Sequence, residues 1–139
     1  MCTPAGWAGE ARLAYSWPDA EAKARAAVGF IRARAEAAGV RVEEWREEYF
    51  GVDAFGGPTV GVPDGWDPPE VLGRLAWRCA EEKSAAAVGR ETGLLGLSGP
   101  PTIAGFGRGR DGGPTQLLAV TPFEVPRALV DDQTRVVIS

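Results

Sequence analysis

Glycines and two arginines dominate residues 94–114, the stretch of the sequence best suited to hold a ligand. Seven glycines lie between positions 96 and 113, and the two arginines lie among them. Glycine allows positive φ and leaves backbone N–H groups uncovered, so consecutive amides can form an anion-binding concavity. The pattern favours a carboxylate or a phosphate as ligand, with these candidate residues: Gly105, Gly107, Arg108 and Arg110. The alternative is a plain connector, because this stretch follows a helical pattern, whereas phosphate-binding loops follow a strand.

An aspartate is the second candidate for chemistry. Asp53 opens a segment rich in proline and glycine, residues 53–69, which no regular helix or strand can occupy. Loops held by a rigid scaffold often carry catalytic groups, and a carboxylate there can act as a general acid or base. The alternative is that Asp53, like Asp64 and Asp67 in the same segment, only shapes a turn.

The absence of histidine removes most other chemistry. With no histidine and only two cysteines, the chain cannot build Ser-His-Asp or Cys-His catalysis, nor most zinc sites. We therefore expect no metal and no cofactor. Any general acid or base in this chain would therefore be an Asp, Glu, Lys, Tyr or Cys side chain.

The totals indicate one cytoplasmic domain spanning residues 1–139. Its 15 basic residues are scattered among 19 acidic ones, with a net charge of −4, which predicts no nucleic-acid partner. Cys2 and Cys79 lie far apart and form no disulfide framework, which favours a reducing compartment. No stretch approaches the ~20 apolar residues of a membrane span, and the N-terminus is no signal peptide.

Periodicity predicts the elements that would position these residues. Residues 10–15 alternate as a strand, and a helix follows with Ser16 as N-cap and Gly39 as its stop. One face of this helix is apolar: Ala24, Ala27, Val28, Ile31, Ala35 and Ala38. Further elements are strands at 45–52 and 70–78, a helix at 83–95, a covered strand at 115–121 and a short edge strand at 135–138.

The order of these elements predicts a ferredoxin-like α+β sandwich. Strand, helix, strand, strand, helix, strand (βαββαβ) corresponds to a four-stranded antiparallel sheet with two helices on one face, here with an extra short C-terminal strand. The other sheet face is then open. We expect it to be apolar and to meet a partner domain or a second subunit, with these candidates on it: Trp45, Tyr49, Trp77 and Leu118.

Several segments, taken in order, resemble a known family. They are residues 9–15, 51–53, 68–78, 87–91, 98–101 and 125–127. The set is similar to the C-terminal part of the acyclic terpene utilisation (AtuA-like) family and spans nearly the whole chain. The resemblance implies that recurrent family positions are occupied by Asp53, Arg78, Ser98, Gly99 and Gly105. It carries no catalytic role; Asp53 stays the catalytic candidate, Gly105 is already a ligand-binding candidate, and Arg78, Ser98 and Gly99 join it.

The resemblance also implies a function. Family members are typically longer, with a large α/β domain ahead of this region, and are linked to catabolism of acyclic terpenes such as citronellol as acyl-CoA thioesters. We therefore expect a small subunit or excised domain that docks on a larger AtuA-like subunit and helps form its site, in acyl-thioester or terpenoid carboxylic acid metabolism. One alternative is a hydratase or lyase acting on an acyl-CoA or carboxylic acid, with Asp53 as acid–base residue and Arg108 or Arg110 binding the anion. Another is a self-associating structural domain that forms a homodimer.

Overall fold

The computed structural model describes residues 1–56, 63–108 and 113–131, and at residues 96, 104–106 and 108 the backbone alone. The elements in chain order are β1 (Cys2–Ser16), α1 (Ala20–Ala37), β2 (Glu44–Phe50), β3 (Glu70–Cys79), α2 (Glu82–Ser98), β4 (Ile103–Arg108), β5 (Thr115–Val120) and α3 (Ala128–Asp131).

The sheet has the strand order β2-β3-β1-β4, and each neighbouring pair is antiparallel. Both long helices cover the same face, because the two residues of β3 that meet them have the same parity. A Cβ built on Gly73 would lie 3.5 Å from Ala24 of α1, and the indole N–H of Trp77 donates to the Ala85 carbonyl of α2 at 3.0 Å. The predicted four-stranded antiparallel sandwich is confirmed.

The core lies between this face and the two helices. Alternate residues of β1 and β3 are buried, as period two requires, with Leu13 and Leu75 fully inaccessible. The predicted apolar face of α1 is confirmed except at Ala38, which is exposed. Gly39 follows this helix with φ +67°, a conformation that favours glycine.

A tryptophan fixes the distance between α2 and the sheet. The indole of Trp77 lies across Gly9 of β1, where a Cβ would overlap the ring. A Cβ on Gly89 of α2 would lie 3.7 Å from the same ring. Helical glycine costs about 1 kcal/mol relative to alanine. Because Gly89 has no side chain, α2 can lie close to the sheet at this point, and this close packing offsets the cost of a glycine in a helix.

The glycine-rich stretch is not one long loop, so that prediction is wrong. Helix α2 continues to Ser98, and Ile103–Arg108 forms β4, which pairs with residues 11–15 of β1. Backbone hydrogen bonds to an otherwise free edge of β1 offset the entropy that glycine loses in a strand. Arg110 lies outside the described residues, as does the predicted C-terminal strand at 135–138.

The strand at 115–121 is real, but its predicted position is wrong. β5 pairs with residues 2–8 of β1, along the same edge that β4 occupies further on. Residues 2–9, which the strand predicted at 10–15 left out, therefore belong to the same strand. β3 ends at Cys79, opposite Trp7, so residues 2–6 and β5 extend past the four-stranded sheet as a two-stranded ribbon. The ribbon is exposed, not covered as predicted.

The open face of the sheet is charged, so the predicted apolar face is wrong. Arg74 donates to Glu10 at 2.7 and 2.9 Å and to Glu48, and Arg78 pairs with Glu43 at 2.8 Å. The predicted aromatic residues lie elsewhere: Tyr49 and Trp77 are buried on the helix side, Trp45 packs against them, and Leu118 is on the ribbon. The reason is parity, since residues 73, 75 and 77 share one face of β3.

Candidate functional site

One end of the sheet gathers turns, charges and strained backbone. We call it the Asp53 end: β1 and β2 finish there, β3 and β4 begin there, α1 starts and α2 stops. The predicted cap of α1 by Ser16 is wrong. Asp19 is the N-cap, with φ 56° and no side-chain cap, whereas the Ser16 hydroxyl donates to the Thr102 carbonyl at 3.4 Å.

Asp53 is held by an arginine of α1. Arg25 donates to the Asp53 carboxylate at 3.0 Å and to Glu21, one helical turn earlier, at 2.7 Å. Burial alone would lower the pKa of Arg25, but its hydrogen bonds to Glu21 and Asp53 raise the pKa above the ordinary value. Arg25 therefore stays protonated, and Asp53 serves as its counter-ion.

The same arginine covers a buried tyrosine. The guanidinium carbon of Arg25 lies 4.1 Å from the centre of the Tyr49 ring, a cation–π arrangement. The Tyr49 hydroxyl donates to the Glu47 carboxylate at 3.1 Å. Burial, followed by the negative charge of Glu47, raises the pKa of Tyr49 to about 12. Tyr49 is thus a neutral hydrogen-bond donor throughout the physiological range.

A lysine bridges β1 and the start of β4. The Lys23 ammonium donates to the Thr102 hydroxyl at 2.6 Å and to the Ser16 carbonyl at 3.2 Å. Among the described residues, Lys23 forms no ion pair. Thr102 adopts φ 64°, which is uncommon for a residue with a branched Cβ. The bridge therefore holds a strained backbone position in place.

Two shallow concavities flank Arg25. One, of about 410 Å³, lies between the start of α1 and residues 63–69 and is lined by Asp19, Asp67 and Trp66 among others. The other, of about 370 Å³, lies beside Tyr49 and Asp53. Acidic side chains outnumber arginines in both, and the arginines, Arg25 in the first and Arg25 and Arg46 in the second, are already paired with carboxylates, so neither resembles a ready-made anion site. Among the described residues, no group of acidic or cysteine side chains could hold a metal ion.

The predicted site residues do not all come together. Asp53 lies at the Asp53 end with Ser98, the last residue of α2, and with Gly99, whose N–H donates to the Leu95 carbonyl at 3.0 Å. Arg78 lies near the other end of β3, eight residues or roughly 26 Å from Glu70 at ~3.3 Å per residue, and is paired with two glutamates.

The predicted β4 residues run along the sheet edge. Gly105 pairs with Ala14 of β1, Gly107 with Arg12, and Arg108, described by its backbone alone, with Ala11. They belong to a strand and not to a concave glycine loop.

Large apolar side chains are exposed around the Asp53 end. Leu97, in the last turn of α2, is 92% exposed, and Phe55 in the turn after β2 is 92% exposed. Trp17 and Trp66 are each more than half exposed. The backbone N–H of Trp17 donates to the Pro69 carbonyl at 2.8 Å. Surface aromatic side chains beside charged ones are typical of interaction surfaces.

The match to a family model covers almost the whole chain. The model described as "Acyclic terpene utilisation family protein AtuA" matches residues 1–136. The chain belongs to the AtuA family. The resemblance predicted from the sequence is confirmed. Neither a curated protein nor a solved structure matches the chain. None of the described helices is long and apolar enough to cross a membrane.

The AtuA-like segments converge on the Asp53 end more than elsewhere. Residues 51–53 form the turn after β2, residues 68–69 lead into β3, and residues 98–101 follow α2. These turns are 15 or more residues apart in the chain yet meet at one end of the sheet. Their convergence makes this end the best candidate site of this AtuA chain.

Sequence reasoning missed the residues that organise this end. The sequence analysis selected none of Arg25, Lys23 and Thr102 as a candidate. The i, i+4 spacing of Glu21 and Arg25 was a visible signal for one contact. The contact between Arg25 and Asp53 joins residues 28 positions apart, and no local pattern indicates it.

Proposed function

We propose that this chain is the docking domain of an AtuA-like assembly. It binds a larger AtuA-like chain through the Asp53 end and contributes side chains to a site formed between the two. The observation that supports this most is the exposure of Phe55, Leu97, Trp17 and Trp66 around the ion pairs of Arg25. A surface with apolar anchors and a charged surround is what a specific protein interface uses.

The site chemistry also favours a shared site over an independent one. Among the described residues, no nucleophile lies within hydrogen-bond reach of a free base, and Asp53 is neutralised by Arg25. Lys23 is the cation at this end that no carboxylate of the described residues neutralises. In the proposed assembly, Lys23 faces a carboxylate or a thioester carbonyl that the larger chain binds.

Co-elution with a larger AtuA-like chain tests the proposal. The two chains should leave a size-exclusion column together, and Leu97→Lys should weaken the complex at least about tenfold, as expected when a central apolar contact is lost. A lysine suits the end of a helix, so the melting temperature should hardly change. Leu118→Lys, which alters an exposed leucine on the ribbon (60% exposed, against 92% for Leu97), is the control and should bind the larger chain as the original chain does.

Two results would refute the docking role. One is separate elution of the unaltered chains at micromolar concentration. The other is equal weakening by the two lysine substitutions, since that would place the contact away from the Asp53 end.

A stand-alone hydratase or lyase is the second candidate, because Asp53, Arg25 and Tyr49 line one concavity together. This function predicts that acyl-CoA thioesters raise the melting temperature as their concentration exceeds the dissociation constant. Asp53→Asn should then abolish turnover while retaining the thermal shift. A flat thermal response over short and branched acyl-CoA thioesters would contradict it.

A further inference from the structure

We propose that two copies of this chain join through the free edge of β5, so that one sheet continues across a two-fold axis. The proposal concerns the ribbon, at the opposite end of β1 from the Asp53 end, and does not depend on the proposed docking function. The two ends are separated by most of the 15 residues of β1, or about 40 Å at ~3.3 Å per residue.

One edge of β5 has no neighbour. β5 pairs with β1 on one side, and no other described strand pairs with it. Leu118 is 60% exposed and Val120 is 73% exposed, so this short strand carries two large apolar side chains in water. An uncovered edge of this kind is a template for pairing with another strand.

The hydrogen bonds of the ribbon show which backbone groups face outward. Met1 and Thr121 exchange two bonds, N–H to carbonyl in each direction, at 3.0 and 3.1 Å. Hydrogen-bonded and non-hydrogen-bonded pairs alternate along antiparallel strands. Residue 119 is therefore bonded to residue 3, whereas Leu118 and Val120 direct their N–H and C=O groups to the free edge. Pro4, which has no N–H, lies opposite Leu118, as this alternation requires.

This edge is complementary to itself. When two copies of β5 run antiparallel about an axis at Ala119, Leu118 of each copy lies opposite Val120 of the other. The outward groups of these two pairs then form four backbone hydrogen bonds. Their apolar side chains meet across the axis on one face of the sheet. Ala119, a small residue, faces its own copy at the axis, where non-hydrogen-bonded strands approach most closely.

Charge also favours a second copy. Residues 1–9 and 113–123 contain no charged side chain, although the chain has 34 Lys, Arg, Asp and Glu residues in total, 15 basic and 19 acidic. Two copies with a net charge of −4 each can therefore meet here without placing like charges opposite each other. Edge strands that stay monomeric usually carry a charge or a proline on the edge, and β5 has neither. Pro122 limits the pairing to this short segment.

Light scattering over a concentration series tests the dimer. The unaltered chain should reach the mass of a dimer as its concentration rises, and Leu118→Pro should stay monomeric at the same concentrations. This substitution removes an outward N–H and no hydrogen bond within the chain, so the melting temperature should change little. Ala119→Pro is the matched control: it removes the bond to Thr3 and should lower the melting temperature. Equal destabilisation by the two proline substitutions would overturn the assignment of the Leu118 N–H to the free edge and of the Ala119 N–H to Thr3.

A cysteine on the axis provides a second test that does not depend on proline. In a Cys2→Ser background, Ala119→Cys should form a disulfide-linked dimer under mild oxidation, because non-hydrogen-bonded pairs place their Cα atoms within disulfide range. Thr115→Cys should not, since the two copies of that residue would lie roughly 27 Å apart at ~3.4 Å per residue. A monomer at every concentration, or a dimer that persists in Leu118→Pro, overturns the proposal. So does a monomer with slow hydrogen exchange at Leu118 and Val120, which would mean that the chain itself covers the edge.

Discussion

Removing the phenolic oxygen of Tyr15 should stabilise the protein. Tyr15 is fully buried, and its hydroxyl has no hydrogen-bond partner among the described residues. A buried hydroxyl without a partner costs about 1–3 kcal/mol. Phenylalanine fills the same space without that oxygen, so Tyr15→Phe should raise the free energy of unfolding by about 1 kcal/mol. For a domain of this size, the melting temperature should rise by about 3–5 °C.

The other tyrosine is the matched control. Tyr49→Phe deletes the same atom from a buried ring, but that hydroxyl donates to Glu47 at 3.1 Å. A hydrogen bond to a charged group contributes about 1.5–3 kcal/mol, so this variant should be less stable by about 1–2 kcal/mol. Urea unfolding with an unchanged m-value measures both effects. Destabilisation of Tyr15→Phe by 1 kcal/mol or more would refute the reasoning, because it would mean that the Tyr15 hydroxyl is hydrogen-bonded.

Three further outcomes are expected. Gly9→Ala should destabilise the fold by about 1–3 kcal/mol, because a Cβ at this position would overlap the indole of Trp77. Gly29→Ala, where α1 has open space, should stabilise the fold by about 0.5–1 kcal/mol, and chemical unfolding compares the two variants. Folding raises the pKa of Tyr49 from 10.0 to about 12, so the contribution of Tyr49 to stability is complete below pH 10 and is lost as the pH rises through 12. In Tyr15→Phe the only tyrosine left is Tyr49, so tyrosinate absorbance of this variant should show the late titration. A titration midpoint near pH 10 would contradict it. Arg74→Gln should destabilise the protein by about 1 kcal/mol at neutral pH, because Arg74 lowers the pKa of Glu48, whereas Arg12→Gln should change stability by less than about 0.5 kcal/mol. The stability that the lowered pKa of Glu48 contributes is lost as the pH falls, so the difference between the original chain and Arg74→Gln should shrink in acid, and thermal melts at several pH values measure it.

Local periodicity was sufficient for the central elements. β3 alternates over its whole length, and α1 repeats its small apolar residues at helical spacing, so both could be predicted from the sequence. Together with β1 and α2, they determine the sandwich. The same parity could have placed Trp77 correctly: it is two residues beyond Leu75 and must share its face, so an open face lined by that indole was inconsistent from the start.

Long-range pairing could not be predicted in the same way. β4 contains two glycines and no strong alternation, and residues 1–9 contain a proline and two glycines, so both read locally as irregular. β4 becomes a strand because one side of β1 is available to it, and residues 2–8 belong to β1 because they pair with β5. The free energy that stabilises these strands comes from pairing with a strand far away in the sequence. A pattern search over about ten residues does not include that partner.

The candidate site shows the same division. Asp53 could be selected from its position at the start of an irregular segment, and Ser98 and Gly99 from the family resemblance. Their common end of the sheet follows from topology, which the element order did predict. The counter-ion of Asp53 could not be predicted, because Arg25 occupies a helix face on which any arginine would be interpreted as solvated.

The charges of the open face restrict where partners can bind. Its ion pairs already satisfy one another across β1, β2 and β3. Eight charged side chains take part: Glu10, Arg12, Glu43, Glu44, Arg46, Glu48, Arg74 and Arg78. A second chain that covered these side chains would remove water from each ion at a cost of several kcal/mol. It would gain little in return, because each charge is already paired with an opposite one. The exposed apolar side chains lie instead at the two ends of β1. Association through the ends would leave the charged face hydrated, so the contact proposed at the Asp53 end and the dimer proposed at the ribbon are compatible in one molecule.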